Sequence, residues 1–184
     1  MVCAYSSVPS PTEGHVVRPL APAEIRASFV NCSQGEARKL SLPAGLDNVR
    51  WDELEFLGWV DPRAVNNAYL VLPRADRVVG LSLRAAPPPR SRLKSTMCGL
   101  CVTTHAAADV TLFSARRAGA AGRDGNTLGI YACGDLGCCQ YVRARRKPSV
   151  PQPAETVTTD ERIARLQHKV TRFVDQVLAI TTPS

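Results

Sequence analysis

Two cysteine pairs, Cys98-Gly-Leu-Cys101 and Cys133-Gly-Asp-Leu-Gly-Cys138, stand 31 residues apart and constrain this chain more than any other feature. A C-x2-C turn brings two sulfurs to one point, and Gly99 allows the tight backbone that this needs. Between the pairs, Val110–Ala115 and Thr127–Ala132 read as strands joined by the Gly-rich RRAGAAGRDGN, so a hairpin returns the chain to the first pair. Residues 135–146 then read as a short helix stopped by Pro148, and the partial positive charge of its N-terminus favours thiolates there. Knuckle, hairpin, then ligands entering a helix is the treble-clef order of elements. Four thiolates take Zn2+ tetrahedrally at about 2.3 Å, and a closed set of four is structural rather than catalytic.

The second pair is the looser one. Its x4 spacing leaves Cys139 in competition with Cys138, and His105, four residues after Cys101, could replace either. A redox pair would want a thioredoxin-like βαβ setting, which the pattern lacks. Nothing at the N-terminus has a basic segment followed by an apolar run, and no run approaches the 18 to 20 or so apolar residues that span a bilayer. Transmembrane and secreted readings are excluded on that pattern, which favours metal ligation over disulfides and a cytoplasmic location. Cys3 and Cys32 have no partner in sequence. No paired-carboxylate arrangement, nucleophile elbow, P-loop or dinucleotide fingerprint is present, so the chain reads as a non-enzyme without a small-molecule substrate.

Charge is concentrated around the cysteines. Residues 89–150 hold ten basic and three acidic side chains, which is the entire net charge of +7 of this 184-residue chain. A field confined to one segment reads as a docking surface for an anionic partner, although part of it offsets the −2 of a tetrathiolate zinc site.

The pattern predicts an α+β fold: short β-hairpins, a treble-clef-like zinc finger and a C-terminal amphipathic helix. Residues 1–17 are Ser/Pro-rich and read as a disordered leader; 18–88 form an N-terminal α+β part; 89–184 form the zinc-finger part with the terminal helix. In the N-terminal part, Pro22 suits a first helical turn that puts Leu20, Ile25 and Phe29 on one side. Ala68–Leu72 and Val78–Arg84 read as a hairpin, and Trp51 and Trp59 as core. The three prolines of 148–157 mark a linker. Thr158 and Glu161 make a capping box, followed by an apolar stripe at 163, 166, 170, 173, 174, 177 and 178.

Several segments in order resemble a known family: RPLAPAEIRASFVNCSQGEARKLSLP, WDELEFLGWVDPRA, the Thr96–His105 stretch TMCGLCVTTH, ARRAGAAGRDGNTLGIYACGDLGCCQYVR and the ERIARL helix. Together they look like an FBP domain, the elongation-factor-G-binding treble-clef unit shared with FusB-type fusidic acid resistance proteins. The resemblance runs from about residue 18 to 180. It implies one structural Zn2+ on Cys98, Cys101, Cys133 and Cys138, a cytosolic protein, and binding to elongation factor G that promotes the factor's release from the ribosome. The stretch before residue 18 is too short and Pro-rich for the extra N-terminal helical domain of the FusB-type proteins, so the resemblance is to the domain alone. Arg143, Arg145, Arg146 and Lys147 are the expected basic rim of the partner surface, with Phe113 and Tyr141 its expected apolar anchors. The alternative reading is a basic zinc finger that binds RNA or the ribosome. Against it, residues 89–150 offer only Phe113, Tyr131 and Tyr141 for base stacking.

Overall fold

A computed structural model describes residues 17–74, 77–87 and 94–178. The leader expected over 1–17 lies outside these residues except for Val17, which is buried and whose N–H donates to the Leu54 carbonyl at 3.3 Å. The turn within PRADR and most of the APPPR segment, with Arg90 and Arg92, also lie outside them.

The chain is α+β. Helix α1, Pro22–Ala27, starts at the proline, whose fixed φ suits a first turn, and buries Ile25. Helix α2, Gln34–Lys39, begins at a full capping box: the Glu36 N–H donates to Ser33 Oγ at 3.2 Å and the Ser33 N–H to the Glu36 carboxylate at 2.8 Å. Strands β1 (Leu57–Val60), β2 (Asn67–Arg74) and β3 (Arg77–Ala85) form an antiparallel meander. Strands β4 (Ser95–Met97) and β5 (Thr104–Ala106) pair only with each other. Strand β6 (Val110–Arg116), the short helix α3 (Gly119–Arg123) and strand β7 (Thr127–Cys133) make the expected hairpin, whose Gly-rich connection contains a helical turn. Helix α4 covers Cys138–Val142, and helix α5 runs from Thr159 to Leu178.

Strand order in the main sheet is β1-β2-β3-β6-β7, so β6 docks on β3, with Leu83 opposite Ala115 and Ala85 opposite Phe113. The main sheet therefore takes strands from both of the expected parts, 18–88 and 89–184.

Period-two alternation divides the strands between two cores. Ala68, Leu70 and Leu72 of β2, with Val79, Leu81 and Leu83 of β3, face Leu166, Val170, Phe173, Val174 and Val177 of α5 and the cysteine cluster. On the opposite face Tyr69 and Val71, with Leu57 and Trp59 of β1, meet Val17, Leu20, Ile25, Ala37 and Leu40. Trp59 is buried, donates Nε1–H to the Ser41 carbonyl at 2.8 Å and lies 5.1 Å from the Tyr69 ring, while Trp51 packs at the edge of the same core. Gly80 permits this arrangement: a Cβ there would sit 2.5 Å from Ser28 Oγ, where the chain after α1 pairs with β3.

The expected stripe covers α5. Its capping box is formed, with the Thr158 N–H donating to Glu161 at 2.7 Å and the Glu161 N–H to Thr158 Oγ1 at 3.3 Å. That bonding holds the Glu161 carboxyl below its ordinary range. Asp175, also buried on α5, is paired with Arg74 at 2.5 Å. No helix among the described residues is long and apolar enough to cross a membrane.

Candidate metal centre

The β4–β5 ladder closes around the first cysteine pair. The Cys98 N–H donates to the Thr103 carbonyl and the Val102 N–H to the Cys98 carbonyl, both at 3.0 Å, while the Cys101 N–H points at Cys98 Sγ at 3.4 Å. This turn places Val102 at φ 63°, a left-handed conformation that a β-branched residue rarely adopts. The knuckle is fastened to β7 by the Gly99 N–H, which donates to the Tyr131 carbonyl at 2.7 Å.

Strand β7 ends at Cys133. The Leu136 N–H then bonds the Cys133 carbonyl at 2.8 Å, the Gly137 N–H bonds Asp135 Oδ1 at 2.9 Å, and Cys138 opens α4. This second turn leans on β1 at Gly58, where a Cβ would come within 2.7 Å of Leu136 Cβ.

The two turns bring Cys98, Cys101, Cys133 and Cys138 together, all buried and with their sulfurs within 4.8 Å of one another. Cys98 Sγ lies 3.7 Å from Cys138 Sγ, and Cys101 Sγ 3.6 Å from Cys133 Sγ. Sulfurs at about 2.3 Å from one tetrahedral Zn2+ stand about 3.8 Å apart, so the donor set, its spacing and its burial fit a single closed structural zinc. As free thiols the four compete for protons. Hydrogen bonds, above all from Cys133, drive Cys101 far below the ordinary thiol range, while those within the cluster, led by Cys101, drive Cys138 far above it. A divalent metal replaces those shared protons.

The structure separates the competing ligands. Cys139 points away from the cluster, buried, with its Sγ 3.6 Å from the Phe56 carbonyl oxygen. Burial, and then the nearby Glu55 charge, push its thiol up to about 12. His105, on β5, lies just outside the sulfurs, with Nε2 3.4 Å from Cys133 Sγ and its ring edge-on to Tyr141 at 4.6 Å. Histidine at such a position orients a ligand and disperses its charge without coordinating the metal.

The expected partner residues divide as follows. Phe113 is fully buried, because β6 alternates and residue 113 shares the inward phase with Thr111 and Ala115; it is a core residue and not a surface anchor. Arg143 reaches inward to the buried Glu55 in a two-pronged ion pair at 2.6 and 2.7 Å, which holds its guanidinium above its ordinary value. Arg145 pairs with Glu53 at 3.3 Å, and Arg146 pairs with Asp135 while its guanidinium lies 5.4 Å from the Tyr141 ring centre. Lys147 is exposed, with no ion-pair partner among the described residues. Tyr141 is half-buried, and burial with the Asp135 charge pushes its phenol up to about 12. The rim is therefore largely neutralised from within.

Two features were not anticipated. Met97, just before Cys98, is 51% exposed, and Tyr131, whose carbonyl anchors the knuckle, is 54% exposed. In addition, the Pro-rich linker is pinned to the site. The Thr104 N–H donates to Gln152 Oε1 at 3.0 Å, Gln152 Nε2 donates to the Thr104 carbonyl at 2.7 Å, and the Ala106 N–H donates to Ser149 Oγ at 3.1 Å. The exposed edge of β5 is thus covered by side chains.

A family model, the FBP C-terminal treble-clef zinc-finger, matches residues 24–177. The match runs from within α1 to within α5, and the chain belongs to this family. No curated protein and no solved structure matches.

Proposed function

We propose that this member of the FBP C-terminal treble-clef zinc-finger family is a non-catalytic binding protein for translation elongation factor G, acting in the cytoplasm and promoting the factor's release from the ribosome in the manner of fusidic acid resistance proteins. The observation that carries this reading is the pair of exposed apolar side chains next to the metal-braced knuckle: Met97 directly precedes Cys98, and the Tyr131 carbonyl accepts from the Gly99 N–H. Large apolar side chains held rigidly at a surface are typical anchors of protein interfaces, and a zinc-fixed turn loses little conformational freedom on docking. Arg145, Arg146 and Lys147, which follow the ligand-bearing α4, add polar groups on the metal-bearing part of the chain. The ion pairs that Arg145 and Arg146 already make limit these groups to steering and orientation. Metal in this reading fixes a surface and takes no part in a reaction, because four sulfurs leave it no open position.

The test is calorimetric titration of the zinc-loaded chain with purified elongation factor G at low salt. Binding that Met97→Ser and Tyr131→Ser each weaken about tenfold, with zinc content unchanged, is the expected result. Absence of binding, or binding indifferent to both substitutions, overturns the reading. Release of the factor from drug-stalled ribosomes is the second measurement, and the same two variants should slow it.

A further inference from the structure

At the end of the sheet remote from the four-cysteine cluster, two clefts of about 330 Å³ each share Asn31, Cys32, Glu36 and Arg116, and so form one groove. Five cations line it: Lys39 of α2, Arg84 of β3, Arg116 of β6, and Arg117 and Arg123 around α3. The sheet register explains the alignment. Arg84 is opposite Ser114, and Arg116 lies two residues further along β6, opposite Thr127, so both guanidiniums stand on the same open face. Arg84, Arg116, Arg123 and Lys39 are exposed, and none forms an ion pair with a carboxylate among the described residues, unlike the arginines beside the metal.

Two acids share the groove, and both are engaged. Glu36 accepts from the Ser33 N–H and hydroxyl in the α2 cap, and the buried Asp61 accepts from the Arg63 N–H at 2.9 Å. The groove keeps a positive surplus. It also lacks what a protein partner needs, since none of the three large exposed apolar side chains (Val65, Met97 and Tyr131) lines it. Protein interfaces have an apolar centre, whereas phosphate-backbone recognition relies on guanidinium and ammonium groups with polar neighbours. Its one aromatic, Tyr69, is buried, so base stacking plays no part.

We infer that this groove binds the phosphate backbone of helical RNA, through Arg84 and Arg116 with Lys39, Arg117 and Arg123 beside them. Phosphate as the ligand follows from the groove itself; RNA rather than DNA rests on the proposed role at the ribosome. The molecule then has two separate docking surfaces, a metal-braced one for protein and an arginine groove for RNA.

The test uses the full zinc-loaded chain and fluorescence anisotropy with a labelled RNA hairpin, a DNA hairpin of the same sequence and a poly-glutamate peptide, at about 50 to about 200 mM salt. The expected result is RNA binding that weakens steeply with salt. Arg84→Gln with Arg116→Gln should weaken it at least tenfold and reduce the log–log salt slope by roughly 2. Arg117→Gln with Arg123→Gln provides an independent second variant, and Lys147→Gln on the metal side should change nothing. Zinc content and circular dichroism establish that each variant is folded. No RNA binding at the lowest salt, a loss with Lys147→Gln alone, or poly-glutamate binding as tight as RNA overturns the proposal. Equal affinity for the DNA hairpin overturns the assignment to RNA. Elongation factor G titrated in parallel keeps the two readings apart, because the groove variants should still bind it and the Met97 and Tyr131 variants should still bind RNA.

Discussion

On one side of the sheet Ile25, Leu40, Trp59, Tyr69 and Val71 close a core with side chains alone; on the other, α5 and a four-cysteine cluster share one core. The first side has two helices, one with a full capping box, and an aromatic pair to fill its volume. The second holds its turns with a two-stranded ladder of three residues per strand, too short to persist in water unaided. The difference teaches where the metal is needed. It replaces hydrophobic volume only where strands are too short and turns too many to supply it, and it leaves the knuckle's outer surface free for Met97 and Tyr131.

The strongest way to break the comparison is to remove the metal. Structural zinc in small fingers is worth on the order of 10 kcal/mol at neutral pH. Chelation, or Cys138→Ser, should abolish hydrogen-exchange protection over 98–142. Both tryptophans belong to the other core, so their emission should change far less. The neighbouring Cys139→Ser is the control: it should keep full zinc and cost only about 1 to 2 kcal/mol, because its sulfur touches backbone and not the cluster. Equal zinc loss in both variants would mean that the second turn is not as described.

Next in size is the buried link between the two sides. Glu55→Ala leaves the Arg143 guanidinium without its carboxylate and should cost about 3 kcal/mol in denaturant unfolding. Arg145→Ala, which breaks the exposed pair with Glu53, should cost under about 1 kcal/mol.

Smaller effects sharpen the account of the metal side. His105→Phe keeps a ring against Tyr141 but removes the nitrogen beside Cys133, and zinc transfer to a competing chelator should speed up about tenfold. Val102→Gly relieves the left-handed strain and should stabilise the zinc-loaded protein by up to about 1 kcal/mol, the gain reduced by glycine's greater freedom when unfolded.

Elements whose signal is local were legible in the sequence. The cap and stripe of α5, both hairpins and three of the four ligands depend on spacing that neighbouring residues set. Helix α2 opens on Ser33-x-x-Glu36, the same kind of capping box as Thr158-x-x-Glu161 of α5, yet it is six residues long and buries only Ala37, so it has no periodic stripe to betray it. Spacing alone does not choose between Cys138 and Cys139, because adjacent residues at a helix start differ only in which neighbour they meet; the family resemblance is what points to Cys138. Nearness to the ligands makes Phe113 look like a surface anchor, whereas the alternation of its own strand turns it inward. The rim arginines find acids as far away as Glu53 and Glu55, and Gln152 reaches Thr104, contacts that no window of sequence displays. The arginine groove was hidden for the same reason, since it gathers residues from α2, β3, β6 and α3.

The pairing of β3 with β6 has a consequence for engineering. Only the connection between residues 85 and 95 joins the meander to the metal-bearing hairpin covalently, while Leu83, Arg84 and Ala85 join them through the ladder. Two polypeptides cut there would each present a complementary strand edge and an incomplete apolar face. They should find one another when co-expressed, which makes this chain a candidate for a split reporter whose reassembly depends on the supply of zinc.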